Sequence, residues 1–508
     1  MSLRNTFIRS FGWQALNVMS QVVLQLIFIS VLARLITTEA FGIMAIALVV
    51  VGFIEIFSQI GIGPALIQRK NLTPEHLNGA FWISLVLGIL FTAALYFAAP
   101  AVAAFYEHEP LIPVLRWIGL SFLISALAIV PRSMIIKELA FKKLFFITLA
   151  AMIVGNLVVG LGMAFAGADL WAYVAALLTQ NVLMTVGYWA AHRIPIGFKL
   201  SRSATADMIR YGGGSTLFNL FNYAATKIDT LIVGKFATML DVNAGADARW
   251  RDTGLYDRSV YLMGLPITVL GKLSDSVMFS GLSMLQDDPK RLRRAILSAI
   301  YHIALLVIPG SVFMIAWADE ITVLFLGNQY VDAVPIVQIL FISVAFRSLT
   351  KVGDSVVRAL DRVYSAAAIK ALFFVLVGSG SYFGLAYGLQ GVAWAIVGAV
   401  MVQFVLMMRL SLRTAGIAFK TMLRKLVPGL IVGAAVHLCS RFLFSFLEGM
   451  DGWRLLRLVI ALAVNGSVVF ALAWFLPRFF RQGQDDILRT LAGRLPVEAF
   501  RKRWDRNA

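Results

Sequence analysis

Cysteine is almost absent from this 508-residue chain. Cys439 is the only one and lies in an apolar segment, which excludes an internal disulfide framework and reads as a small buried hydrophobe. Charge is scarce too, at 14% of residues against 60% hydrophobic, more apolar side chain than a soluble domain of this size needs. Nucleotide-binding signatures are missing: no G-x-x-x-x-G-K-[ST] occurs, and "GIGPAL" lacks the third glycine of a dinucleotide fingerprint. The five histidines, His76, His108, His192, His302 and His437, show no metal-ligand spacing. No nucleophile–base pair stands out, and no stretch between apolar segments has room for a catalytic domain. Transport is favoured over catalysis, with no metal and no cofactor.

What the chain does contain is apolar runs of about 20 residues, each long enough to cross a hydrocarbon core of about 30 Å. Fourteen are read between residues 12 and 476, among them a seventh at 212–235, an eighth at 255–281 and a tenth at 333–357. The expected fold is an all-α polytopic membrane protein. "MSLRNTFIRS" runs into Trp13 and a full-length span without a cleavage site, so the first span is expected to stay.

Lysine and arginine number 45 against 27 acidic residues, a net charge of +18 that would suggest nucleic acid in a soluble protein. Here position accounts for it, and no nucleic-acid partner is expected. Basic clusters such as "RSMIIKELAFKK", "DDPKRLRR" and "RLSLRTAGIAFKTMLRK" fall on alternate connections. "ITTEAF", "YEHEP", "AGADL", "ADEITVLFLGNQYVDAVP" and "YGLQG", between them, carry no lysine or arginine. By the positive-inside rule both termini are cytoplasmic. A faint repeat pairs "GWQALN" with "GSTLFN" and "PVLRWIGLSFLIS" with "PIVQILFISVAFRS". It predicts an N-lobe at 1–200, a C-lobe at 201–415, two further spans within 416–477 and a basic cytoplasmic tail at 478–508.

Several spans contain ionised residues, each costing about 3 kcal/mol at the centre of a bilayer on insertion scales. On a helical wheel of residues 215–234, Asn219, Asn222, Tyr223, Thr226, Lys227 and Asp229 share one polar arc, with Lys227 and Asp229 at its two edges. At i and i+2 those two do not face each other, so the arc reads as the lining of something aqueous. The tenth span repeats the pattern with Arg347, Lys351, Asp354 and Arg358, and the eighth with Arg258, Lys272 and Asp275. The first carries Gln14, Asn17, Gln21 and Gln25, and the second carries Glu55. Two readings stand side by side: structural ion pairs or snorkelling residues near span ends, and a cavity lining. Interior cations (Lys227, Lys272, Arg347, Lys351 and Lys370) outnumber the interior acids (Glu55, Asp229, Asp275 and Asp354), and a surplus of cations suits an anionic cargo.

The stretch "LARLITTEAFGIMAIALVVVGFIEIFSQIGIGPALIQRKNLTPEHLNGAFW" resembles the N-terminal signature of bacterial polysaccharide transporters, the Wzx-type lipid-linked oligosaccharide flippases. "YGGGSTLFNLFNYAATKIDTLIVGKF" and "GLYDRSVYLMGLPITVLGKLSDSVMFSGLSMLQDDPKRLRRA" are similar to later blocks of that family in the same order. The resemblance implies two lobes in a V shape, alternating access and an undecaprenyl-pyrophosphate-linked repeat unit as cargo, at the bacterial inner membrane. It places Asp229 and Arg258 on family positions; "ATMLDVNAGADARWRD" departs from the pattern.

On this reading Lys227, Lys272, Arg347, Lys351 and Arg258 are candidates for the pyrophosphate, and Asn219, Asn222, Tyr223 and Thr226 for the sugars. Glu55, Asp229, Asp275 and Asp354 are candidates for ion coupling. Partners are the lipid-linked oligosaccharide, membrane lipid and a polymerase or export protein. The alternatives are a multidrug-type cation antiporter of the same fold, which would want an acidic cavity, and a polytopic glycan polymerase or ligase.

Overall fold

The computed structural model describes residues 3–58, 62–69, 72–194, 196–197, 220, 222–237, 246–283, 288–360, 362–447 and 453–475. Among the described residues every regular element is a helix. The first eight are α1 (Leu3–Leu35), α2 (Thr38–Ser58), α3 (Ile62–Gln68), α4 (Pro74–Tyr106), α5 (Leu111–Lys137), α6 (Phe141–Met152), α7 (Leu161–Phe165) and α8 (Leu170–Ala191), with a π-helical stretch, Ile153–Gly160, joining α6 to α7. There follow α9 (222–236), α10 (Ala246–Ser283), α11 (Pro289–Ala316), α12 (Ala318–Leu326), the 3₁₀ segment Asn328–Ala333 and α13 (Val334–Ala359). The last are α14 (Val363–Gly384), α15 (Gly388–Thr414), α16 (Phe419–Phe446) and α17 (Arg454–Phe475).

Eleven helical segments among the described residues are long and apolar enough to cross a bilayer, one of them (Tyr364–Thr414) holding both α14 and α15. In hydrocarbon the backbone must satisfy its own polar groups, which a helix does within one segment. That is why long apolar runs become helices whatever their β-propensity.

Contacts divide the chain into two compact units. One holds the described residues of Met1–Leu265, Phe325–Ile336 and Lys370–Ile396; the other those of Pro266–Leu324, Val337–Ile369 and Val397–Ala508. Within α10 the division falls at Pro266, whose missing N–H and ring interrupt the helical ladder.

In the first unit the connections sort by charge. At one end Thr37 donates its backbone N–H to Asp169 at 2.8 Å, and Gln329 donates to the carbonyls of Ala33 and Ile36. These contacts join "ITTEAF", "AGADL" and "GNQYV", all free of lysine and arginine. At the other end the basic connections cap helices. Lys137 Nζ donates to the carbonyls of Leu66 and Arg69 at the end of α3, and Lys143 Nζ to that of Ala191 at the end of α8.

The second unit is built on a core of Ile296, Ile300, Leu349, Val352, Val356, Met408 and Met422, drawn from α11, α13, α15 and α16. A polar knot fastens α17. Arg454 pairs with Asp319 at 2.7 Å and Arg457 with Glu320 at 3.0 Å, while Trp317 Nε1 donates to Ser440 Oγ, which reaches Asn465.

Candidate functional site

The polar arc of α9 is shared between two neighbours. Tyr223 leans on α2, its hydroxyl donating to the carbonyl of Val49 at 3.1 Å, and Gly52 leaves the space for that phenol. Glu55 lies one turn further along α2, close enough to act electrostatically on Tyr223. On the other edge Asp229 is buried; its Oδ2 accepts from Tyr256 of α10 at 2.7 Å and its Oδ1 from the Thr230 N–H. Thr226 spends its hydroxyl on the Tyr223 carbonyl, and Asn222 and Lys227 are half-buried. Asn219 lies outside the described residues. So do the side chains of Lys272 and Asp275, although α10 continues through both positions.

Arg258 sits at the centre of a buried aromatic group. Its Nε donates to Asp257 Oδ2 at 3.0 Å, Nη2 reaches the same oxygen, and its guanidinium lies 4.5 Å from the Phe41 ring and 5.1 Å from that of Tyr261. Tyr173 and Tyr330 pack edge-on against Phe41, closing the group. The nearby cationic charge is thus matched by an adjacent carboxylate, a partner the wheel passed over because it scores stripes rather than next-door residues. The amide stripe of α1 is likewise turned inward. Asn17 is buried and accepts from Gln21 at 3.1 Å, while Leu16, Met19, Val23 and Ile27 form the exposed stripe.

In the second unit α13 is strongly two-faced. Val344, Leu349, Val352 and Val356 are buried in the core, whereas Arg347, Lys351 and Asp354 are half-exposed and Arg358 is exposed. Helical spacing places these four polar residues along one side, the side the core does not use. Three cations, Arg347, Lys351 and Arg358, with Asp354 among them, thus lie within about three turns of one face.

Of the segment where the sequence departs from the family blocks, the described residues 246–252 are helical and form the start of α10. Trp250 is fully buried, its ring 4.4 Å from the His108 ring between centroids. Arg249, also buried, donates to the Tyr106 carbonyl and lies 3.7 Å from Glu107, which in turn pairs with Lys235 at 2.8 Å. Arg251 pairs with Asp332. None of these was singled out by periodicity; the signal available was the basic–aromatic–basic run "RWR" inside an otherwise acidic and small-residue insertion.

A family model described as "Polysaccharide biosynthesis protein" matches residues 31–335. The chain is 24% identical over 364 residues to the lipopolysaccharide biosynthesis protein WzxC of Escherichia coli (strain K12), covering 72% of each chain. It is 24% identical over 415 residues to the teichuronic acid biosynthesis protein TuaB of Bacillus subtilis (strain 168), covering 78% of this chain and 83% of that one. Among solved structures it is similar to the lipid II flippase MurJ in an inward closed conformation, with TM-score 0.69 and 14% identity over 91% of this chain and 99% of that one. An inward-facing multidrug resistance transporter of the MATE family shares the fold at TM-score 0.63 and 16% identity, covering 79% and 94%.

Proposed function

The chain belongs to the polysaccharide biosynthesis protein family, and on that footing we propose that it is a flippase for lipid-linked polysaccharide repeat units in the bacterial cytoplasmic membrane. The observation that carries the reading is the cationic stripe of α13, held out of the core on a helix that otherwise packs tightly. A pyrophosphate bearing several sugars cannot cross hydrocarbon with its charges and hydroxyls unpaired, at a cost of tens of kcal/mol. Arg347 and Lys351, with Lys227 and Lys272, take the pyrophosphate in this proposal. Asn219, Asn222, Tyr223 and Thr226 offer the sugars a neutral face. Arg258 is already paired with Asp257 and lies against Phe41 of α2, so in this proposal it supports α10 rather than taking the cargo. Glu55, Asp229, Asp275 and Asp354 are kept as candidates for ion coupling.

The division into lobes at residues 200 and 415, with spans 13 and 14 following and both termini cytoplasmic, completes the proposal. An inside-negative potential then favours outward movement of the anion by about 2.3 kcal/mol per charge per 100 mV. Binding of undecaprenyl pyrophosphate to the purified protein in nanodiscs tests the site. Arg347→Ala and Lys351→Ala should each weaken it by roughly tenfold or more, as loss of a charge-assisted contact of 1.5–3 kcal/mol requires. Arg413→Ala, at an exposed position, should not. Unchanged affinity in both stripe variants would move the cargo site elsewhere.

A further inference from the structure

The first unit contains a structure that the cargo site does not account for: the beginning of α10, residues 246–254, where the segment that departs from the family blocks runs into Gly254 and meets α2 and α4. Two glycines set its closeness. A Cβ on Gly42 would fall inside the contact shell of the Trp250 carbonyl, and one on Gly254 inside that of the Thr38 carbonyl. Backbone therefore meets backbone here, with no side chain between, and no flexible group is present to yield.

Polar ties surround this seam. Glu107, just beyond the end of α4, has φ of 52°, a left-handed conformation that costs a non-glycine residue strain. Glycine would serve better as a helix terminator. The glutamate places its carboxylate between Lys235 and Arg249. Asp169, with φ of 41°, does the same for Thr37 at the same end of the unit. Strained non-glycine residues at two tie points indicate that their side chains, not their backbones, are what the positions require.

The ties are also of a reversible kind. Glu107 is 70% exposed, and Arg251 and Asp332 are 50% and 64% exposed, so each ion pair is individually weak. Deeper in, the buried Asp229–Tyr256 hydrogen bond ties α10 to α9, and Arg258, paired with its own neighbour Asp257, lies against the Phe41 ring of α2.

We propose that residues 246–254 form the outer gate of the transport path, a latch closed by the Gly42–Gly254 seam and by Arg249 and Trp250 on the end of α4. The proposal rests on the flippase reading. The latch joins helices that precede residue 200 (α2, α4) to helices that follow it (α9, α10), so any motion that separates those halves at this end must break it. The connections "ITTEAF" and "YEHEP", which carry no lysine or arginine of their own, meet α10 here, and by the positive-inside rule this is taken as the outer side.

The test uses the full chain in a Cys439→Ala background, in cells lacking the native copy. Glu107→Cys with Lys235→Cys is bridged by a flexible thiol cross-linker added from outside. Bridging should raise lipid-linked intermediates to the level of the deletion, and a reducible bridge should return them to normal on reduction. Normal clearance with the bridge in place overturns the gate. Failure of the unbridged pair and of wild type to clear the intermediates overturns the flippase reading instead. A second readout is modification of Ser259→Cys, a buried position just beyond the latch along α10, by a membrane-impermeant maleimide. Arg249→Ala should speed it several-fold. If that variant does not fold, Glu107→Gln at the exposed acid gives the same comparison, and an unchanged rate contradicts the latch.

Discussion

Arg258 shows how far one neighbour alters the meaning of a charge. As a letter in the eighth span it counts as a cation facing the cargo; in the structure both its donor groups that face Asp257 share one oxygen of that residue. Removing one partner of a buried pair leaves an uncompensated charge, at about 3–5 kcal/mol. Arg258→Gln should therefore lower the thermal stability of the detergent-solubilised protein sharply, and Asp257→Asn should do the same. The double variant should lose less than the sum of the two, and strict additivity would show that the pair does not couple. Glu107 gives the contrasting case. Its hydrogen bond to Lys235, followed by the charges of Lys235 and Arg249, holds its carboxyl below the ordinary value of 4.5. A depressed carboxylate contributes stability above its unfolded pKa and loses it as pH falls through the folded one. The melting-temperature gap between wild type and Glu107→Gln should thus be flat from neutral pH down to about 5 and close only in stronger acid. A gap that widened on acidification would contradict the assigned ion pairs.

Among the elements, α13 was fully legible and α9 only half so. Hydrophobic period alone separates Leu349, Val352 and Val356 from Arg347, Lys351 and Asp354, and the structure buries the first set and leaves the second half-exposed. On α9 the same arithmetic gave one polar arc, which the fold splits between α2 through Tyr223 and α10 through Asp229. A wheel gives the direction of a side chain but not which helix stands there. The insertion after α9 was hidden for a different reason. Its described residues, 246–252, are placed by tertiary contacts of Arg249 and Trp250 and by the missing Cβ atoms of Gly42 and Gly254, which carry no periodic signal. The knot that holds α17 was also invisible in the pattern. Burial pushes the Glu320 carboxyl up while Arg457 pulls it down. Arg457→Ala should detach α17 from α12, read as faster proteolysis between α16 and α17 with the remainder of the chain intact. Unchanged cleavage would show that apolar packing alone holds this helix.

At the scale of the whole molecule, composition sufficed for the class. A chain 60% hydrophobic with 14% charge is committed to lipid, and the long apolar runs became helices as the bilayer demands. The family followed from ordered sequence blocks, and the matched region, residues 31–335, contains all three of them. The surroundings of each cation were less legible, because Lys227, Arg258 and Lys351 look alike in a sequence and differ only in their neighbours. We propose that this chain clears lipid-linked repeat units from the cytoplasmic leaflet through the stripe on α13. It is tested most directly by measuring those intermediates in cells lacking the chain and complemented at matched expression. Wild type and Arg413→Ala should restore normal levels, while Arg347→Ala and Lys351→Ala should leave the intermediates accumulated. Intermediates that never accumulate in the deletion, or that both stripe variants clear as well as wild type, would contradict it.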